Sequence, residues 1–284
     1  MNKQYTIGVD IGGTKMSAVL FDGQKVLADY VLATPKDNLE HFMIMLKALI
    51  EPLQDKAKAA GAFVKGIGAG IAGMIDFDEG RVSEAPNLPL LNSLKLPENL
   101  AAKLGVEKIK IDNDARCFLR AEMKFGAGRK YKNVFGITVG TGIGGAWSNG
   151  GEIYQGARGG ATEVGWLTVD SKEGIRLEEA YHKLTQSSPA ALAEEAYRGD
   201  VLAQKSYDEF GYYLGISLAN VMNILDPEII IVGGGAAESS GLFLPRAKKI
   251  MRQYIKSPKS KTVKILKGKL GVNAGAIGAA LLVA

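Results

Sequence analysis

The sequence holds one cysteine, Cys117, and two histidines, His41 and His182. One cysteine excludes an intrachain disulfide and fits a reducing compartment. The three side chains together are too few for a structural zinc of four Cys or His ligands. No apolar run is long and uniform enough to span a bilayer. Strand-like sequence begins by Tyr5, which leaves no room for a signal peptide. A cytoplasmic protein without membrane contact is the expectation. Aromatic residues are sparse, at 7%, and the densest basic stretch, Lys256 to Lys269, is not interleaved with them. That stretch reads as a solvated face, the net charge of +5 is modest, and nucleic acid is not an expected partner. Also absent is a Gly-Lys-Ser/Thr sequence opening a helix, so no Walker A loop exists.

Glycine and apolar residues are what the chain has in plenty: 36 glycines in 284 residues, and 46% hydrophobic against 23% charged. A large core is affordable and disorder is not expected. The glycines cluster in two related places. Tyr5 to Val9 is an apolar run entering Asp10-Ile11-Gly12-Gly13-Thr14-Lys15, and Ser17 to Phe21 leaves it for an Asp22-Gly23 hairpin turn. Phe135 to Val139 enters Gly140-Thr141-Gly142-Ile143-Gly144-Gly145, which ends in Asn149-Gly150.

Three stretches approach the dinucleotide pattern G-x-G-x-x-G, beginning at Gly68, Gly140 and Gly233. The Rossmann reading needs a helix directly after the glycines, and the turns after Gly73 and Gly145 leave no room for one. A strand, a Gly/Thr turn and a returning strand fit better. Backbone N–H groups of such turns can face phosphate oxygens without Cβ interference, and threonine hydroxyls add donors. The alternative is a pair of ordinary Gly hairpins. Asp10, where strand meets turn, can hold Mg²⁺ through water or serve only as a turn-forming side chain.

Around these turns the spacing predicts a meander over 5–31, a helix from Leu39 to Ala60 ended by Gly61, and a strand from Lys65 to Ile71. It then predicts a helix over 96–104, a strand over 108–111, and a helix opened by Asn113-Asp114. A second meander covers 133–154. Helices from Leu177 onward follow, one of them running from Val201 to Leu225 and stopped by Asp226-Pro227. A strand over 228–232, a helix over 244–255, a strand over 262–266 and a C-terminal helix from Ala274 to Ala284 complete the chain. Asp114 lies where a strand passes into a helix, which suits either an N-cap or a base kept ionised by the helix N-terminus.

In its order of motifs the chain resembles the ROK sugar kinases of the actin/hexokinase-like superfamily. The residues that carry this are Asp10 to Lys15, Asn87-Leu88, Asn113-Asp114-Ala115, Thr138 to Gly145, Glu163-Val164-Gly165, Leu177-Glu178, and Asp226-Pro227-Glu228 through Gly233-Gly234. The resemblance implies an α/β, two-lobed actin-like ATPase fold, ribonuclease H-like in each lobe, with a central cleft. Residues 1–114 and a returning helix over 271–284 would form the smaller lobe, and 115–270 the larger. It implies an ATP- and Mg²⁺-dependent kinase acting on a hexose or hexose derivative, and a homodimer. Family repressors carry a DNA-binding segment before the first strand; this sequence opens at that strand, which disfavours the class.

By the same resemblance Asp114 is the general base. Asp10, Gly12, Gly13, Thr14 and Lys15 line the phosphates from one lobe, and Thr138, Gly140, Thr141 and Gly142 from the other, with Gly233, Gly234 and Gly235 beside adenosine. Gly73, Asn87, Asn113, Glu163, Trp166 and Glu178 form the sugar side. Zinc-containing members have a histidine where Trp166 stands and a Cys-rich loop before the second glutamate; neither is present, so no zinc site is predicted. Trp166 can stack on a sugar face or simply pack. A non-catalytic sugar sensor, a kinase for a non-hexose, and one using polyphosphate remain the rival readings.

Overall fold

The computed structural model describes residues 3–186 and 188–284. By contacts the chain divides into two compact units: Met1–Arg129 with Ile153–Ala161 and Leu270–Ala284, and Lys130–Glu152 with Thr162–Lys269.

The first unit begins with the expected meander, β1 (Lys3–Ile11), β2 (Lys15–Phe21) and β3 (Val26–Ala33), paired antiparallel. Helix α1 (Leu39–Ala59) follows, capped by the Asn38 side chain, which accepts from the His41 N–H at 2.8 Å. Pro52 lies within α1 without ending it. Burial of Phe42, Leu46, Leu49, Ile50 and Leu53 on one face keeps the helix continuous despite the lost hydrogen bond. Strand β4 (Ala62–Ile71), a small hairpin of β5 (Met74–Asp76) and β6 (Arg81–Glu84), helix α2 (Leu96–Leu104), β7 (Ile109–Asn113) and α3 (Asp114–Phe125) complete this part. The sheet order is β3-β2-β1-β4-β7, with β1, β4 and β7 parallel. The edge strand β3 alternates between half-buried and exposed residues, whereas β1 and β4 carry continuous buried runs, as strands covered on both faces must.

The second unit repeats that plan with β8 (Val134–Val139), β9 (Ile143–Asn149), β10 (Glu152–Ile153), the short pair β11 (Thr168–Asp170) and β12 (Ile175–Arg176), α4 (Leu177–Thr185), α5 (Pro189–Tyr197), α6 (Val201–Leu225), β13 (Ile229–Gly233), α7 (Leu244–Tyr254) and β14 (Lys264–Lys267). Its main sheet runs β10-β9-β8-β13-β14, antiparallel at β8–β9 and parallel from β8 through β13 to β14. The Asp226-Pro227-Glu228 motif has a plain structural task. Asp226 ends α6 in the left-handed region at φ 45°, and the Glu228 carboxylate accepts from the N–H groups of Lys132 and Asn133, each at 2.8 Å. Those two backbone bonds hold its pKa below the usual glutamate range. They also fix the start of β13 against the start of β8.

Helix α8 (Ala274–Ala280) belongs to the first unit and is shorter than the sequence predicts. Its last turn gives way to a segment whose Val283 carbonyl accepts from Lys108 Nζ at 2.9 Å. The border between units also departs from 114/115: α3 and residues 153–161 cluster with the first unit. The reason is packing. Helix α8 lies directly on β1, β4 and α3, backbone against backbone, and Gly8, Gly68 and Gly278 leave no space for a Cβ at those contacts. Expected outcome: Gly8→Ala, which would drive a methyl group into the Ala276 carbonyl, lowers stability to urea by about 3 kcal/mol. Gly160→Ala, with open space around it, stays within about 0.5 kcal/mol of the parent.

Candidate active site

Register brings two carboxylates together in the first unit. Asp10 on β1 pairs with Gly70 on β4, and Gly70 pairs with Asp112 on β7. Two residues on, Asp114 opens α3. A Cβ at Gly70 would stand 3.2 Å from the Cys117 Sγ and 3.4 Å from the Asp114 Cα, so the glycine lets the start of α3 pack closely on β4. The helix cap, however, is Asn113 and not Asp114: Asn113 Oδ1 accepts from the Arg116 N–H at 3.2 Å, and Asp114 is the first helical residue, its Oδ1 accepting from the Ala115 N–H at 2.9 Å. Asn113 Nδ2 donates to the Gly73 carbonyl at 3.1 Å. Expected on the sugar side, the Asn113 amide is thus engaged at both ends in holding the β7–α3 junction and the Gly73 turn.

Asp10 feels the pairing. Burial, then the neighbouring Asp114 charge, push its pKa up to about 7, and Lys15 pulls the other way. The first residues of α8 lie against it, and a Cβ at Gly275 would come 2.6 Å from the Asp10 Cγ. A half-buried carboxylate facing a second carboxylate is a donor set that a hydrated divalent cation, held by one or two carboxylates, suits. Among the described residues no group of three or more His, Cys, Asp or Glu side chains could hold a metal ion.

The turn after Asp10 is braced from behind. Gly12 N–H donates to the Lys15 carbonyl at 3.0 Å. Thr34, directly after β3, takes hold of two turn carbonyls: its Oγ1 donates to Gly12 at 2.7 Å and its N–H to Thr14 at 3.0 Å. Gly13 has to be glycine because a Cβ there would stand 2.7 Å from the Asn87 Cβ. That contact sets Asn87 beside the turn. Sequence reasoning missed Thr34, whose distance along the chain gives no local signal.

In the second unit, Thr138 on β8 pairs with Gly233 on β13, and Gly234, at φ 82°, lies so close to Val139 that a Cβ would meet the Val139 carbonyl carbon at 2.7 Å. The predicted residues Thr138, Gly140, Thr141, Gly142, Gly233, Gly234 and Gly235 therefore gather at the carboxyl ends of two adjacent parallel strands, the usual ligand end of such sheets. Glu163 precedes a 3-10 turn over Val164–Trp166, and the Trp166 N–H donates to its carbonyl at 3.1 Å. Trp166 is 54% exposed, and the Arg176 guanidinium stacks on its ring at 4.1 Å. Both line a pocket of about 600 Å³ with Gly165, Glu178, Glu179 and His182. Glu178 has a second attachment: its Oε2 accepts the Ile143 N–H, just after the Gly140–Gly142 turn. Tyr181 and His182 reach the same turn. His41 is exposed in α1 and bonded to Asp37, and His182, on α4, donates to the Thr141 carbonyl.

Residues 6–284 match the model of the ROK family. The chain belongs to the ROK family. It is 32% identical over 271 residues to the N-acetylgalactosamine kinase AgaK of Shewanella sp., covering 85% of this chain and 86% of that protein. It is 30% identical over 321 residues to the glucokinase of Thermotoga maritima, covering 100% and 98%. Among solved structures, a ROK glucokinase from Streptomyces griseus in complex with glucose and AMPPNP shares the fold at a TM-score of 0.83, with 28% identity over 98% of each chain. The ROK architecture is the two-lobed, actin-like α/β fold.

The raised pKa of Asp10 has a sign. Between the ordinary 3.8 and about 7 the folded chain keeps a proton that the unfolded chain has lost, so this group makes stability fall as pH rises through that window. Expected outcome: Asp10→Asn raises the melting temperature of the ligand-free protein at pH 8 and flattens its decline from pH 5 to pH 8. An unchanged melting profile would show that Asp10 is not strained by burial.

Proposed function

We propose that this ROK-family chain is an ATP- and Mg²⁺-dependent kinase that phosphorylates a primary hydroxyl of a hexose or hexose derivative, with Asp114 as general base. The observation that carries the reading is the pair of carboxylates, Asp10 on β1 and Asp114 at the start of α3 just after β7, on strands that flank β4, beside a Gly-Gly-Thr-Lys turn.

The roles divide by chemistry. The sugar hydroxyl donates its hydrogen bond to the Asp114 carboxylate. As its oxygen bonds to the γ-phosphorus, the bond from that phosphorus to the ADP oxygen breaks and the proton passes to Asp114. Phosphoryl transfer asks a protein mainly to position groups and spread charge. In the first unit that falls to the Gly13–Thr14 backbone, on a turn closed by the Gly12 N–H, and to the Lys15 ammonium, and in the second to Thr138 and the Gly140–Gly142 turn. Gly233, Gly234 and Gly235 leave room for adenosine beside β13. Mg²⁺, when bound, would neutralise the phosphate oxygens, and Asp10 would hold it, largely through water. Asn87, Glu163 and the Trp166 face are the sugar contacts, with Gly73 supporting Asn113 beneath Asp114. The cytoplasm and a homodimeric state complete the reading, on family membership.

The sugars named for the relatives, N-acetylgalactosamine and glucose, support a hexose acceptor and differ at ring positions that a half-exposed Trp166 stacked with Arg176 is suited to sort. Expected outcome: in a coupled ADP-release assay with Mg²⁺-ATP over hexoses, amino sugars and pentoses, one hexose class is turned over. Asp114→Ala lowers kcat by about 10²–10⁴-fold with AMPPNP binding kept within threefold. Turnover by Asp114→Ala within tenfold of the parent would remove Asp114 from the role of base.

A further inference from the structure

Helix α4 carries Glu178, Tyr181 and His182 at i, i+3 and i+4, the spacing that puts three side chains on one helix face. All three contact the turn between β8 and β9. Tyr181 OH donates to the Gly140 carbonyl at 3.1 Å, His182 Nε2 donates to the Thr141 carbonyl at 2.7 Å, and the Glu178 carboxylate takes the Ile143 N–H. The remaining turn carbonyl, of Gly142, accepts from the Gly140 N–H at 2.9 Å. Every carbonyl of residues 140–142 is thereby engaged by this chain.

We propose that Tyr181 and His182 are positioning residues that set the peptide planes of this turn for phosphate. In a planar trans peptide, C=O and N–H point in opposite directions. Drawing the Gly140 carbonyl to Tyr181 turns the Thr141 N–H away from α4, and drawing the Thr141 carbonyl to His182 does the same for the Gly142 N–H. A donor on each carbonyl also polarises its peptide and strengthens the N–H as a donor. Glu178 occupies the next N–H along, at Ile143, and so takes that donor out of phosphate recognition. Tyr181 is fully buried, and that burial, with a smaller push from Tyr207, raises its phenol pKa so that the hydroxyl stays protonated and able to donate. His182 donates from Nε2 as an imidazolium and as the neutral Nε2–H tautomer alike. The first unit uses the same device with a different residue: Thr34 holds the Gly12 and Thr14 carbonyls from behind.

The assignment rests on the kinase reading for the identity of its ligand, a nucleoside triphosphate, and its test separates the two. AMPPNP affinity is measured by calorimetry on the full chain, the parent beside His182→Ala, His182→Gln and Tyr181→Phe, with melting temperatures alongside. KM for ATP and for the sugar is measured on the same proteins. His182→Ala is expected to weaken AMPPNP binding and raise the ATP KM about fivefold, the size of one hydrogen bond, whatever the change in the sugar KM from the pocket it shares with Trp166. His182→Gln, whose amide can donate to the same carbonyl, recovers at least half of that loss. Should Tyr181→Phe not fold, the half-buried His182 decides alone. AMPPNP affinity within twofold of the parent in His182→Ala overturns the proposal, as does an equal loss in His182→Gln or a rise confined to the sugar KM. A parent that binds AMPPNP but turns over no sugar defeats the kinase reading while the binding series still decides this one; a parent that binds no AMPPNP defeats both.

Discussion

One buried carboxylate, Asp112, holds the first unit's site in place. It is 1% exposed, and a charge taken out of water is strongly unfavourable unless paired and hydrogen-bonded. Three partners meet that demand: the Asn113 N–H at 2.8 Å, Arg120 Nη2 at 2.6 Å, and Arg116 Nη1 at 3.5 Å. Both arginines come from the helix that starts two residues later, so the end of β7 and the first two turns of α3 form one cross-linked body. Asp114 sits in the middle of it. Arg116, itself 1% exposed, goes further and donates from Nη2 to the Gly159 carbonyl, with longer contacts to those of Gln155 and Ala161. The segment 153–161 follows β9 and β10 along the chain, yet this buried guanidinium gathers it into the first unit.

The two units solve the same geometric problem. Each has a meander leading into parallel strands, and each puts a glycine-rich turn after its first strand. A turn of that kind is floppy by itself, because glycine loses more conformational freedom on ordering than any other residue. In both units the turn's carbonyls are tied down from one side, by Thr34 in the first and by Tyr181 and His182 in the second. Once the carbonyls are fixed, the directions of the amides are fixed too. Preorganised N–H groups are what a polyphosphate requires, since dipoles that need not reorient stabilise transferring charge at no reorganisation cost.

Helix α8 shows what the glycines contribute beyond turns. It lies on β1, β4 and α3 at a distance that Cβ atoms at Gly8, Gly68 and Gly278 would forbid. Its first residues, in turn, cover Asp10. The carboxyl that is raised to about 7 is thus desolvated by the far end of the chain, and its altered acidity is a product of the tertiary contact rather than of its neighbours in sequence.

The two Gly/Thr turns, the flanking strands, the long helices α1 and α6, and the carboxylate at the β7–α3 junction were legible in the sequence, because each is set by local rules: hydrophobic period, turn chemistry and capping residues. Local rules are also why Asp114 could be mistaken for a cap, since Asn113 beside it has the same capping chemistry and only the backbone geometry tells them apart. The small hairpin β5–β6, the early end of α8 and the place of residues 153–161 depended on partners far along the chain. So did Thr34, Arg116 and His182: their function lies in a hydrogen bond to a carbonyl 22, 43 or 41 residues away. The sequence by itself determined which turns could face phosphate and which carboxylate could serve as base. Which way those turns' amides point, and how much water the carboxylates keep, was decided only when tertiary packing brought their partners against them, because direction and desolvation belong to the folded neighbourhood of a group and not to its place in the chain.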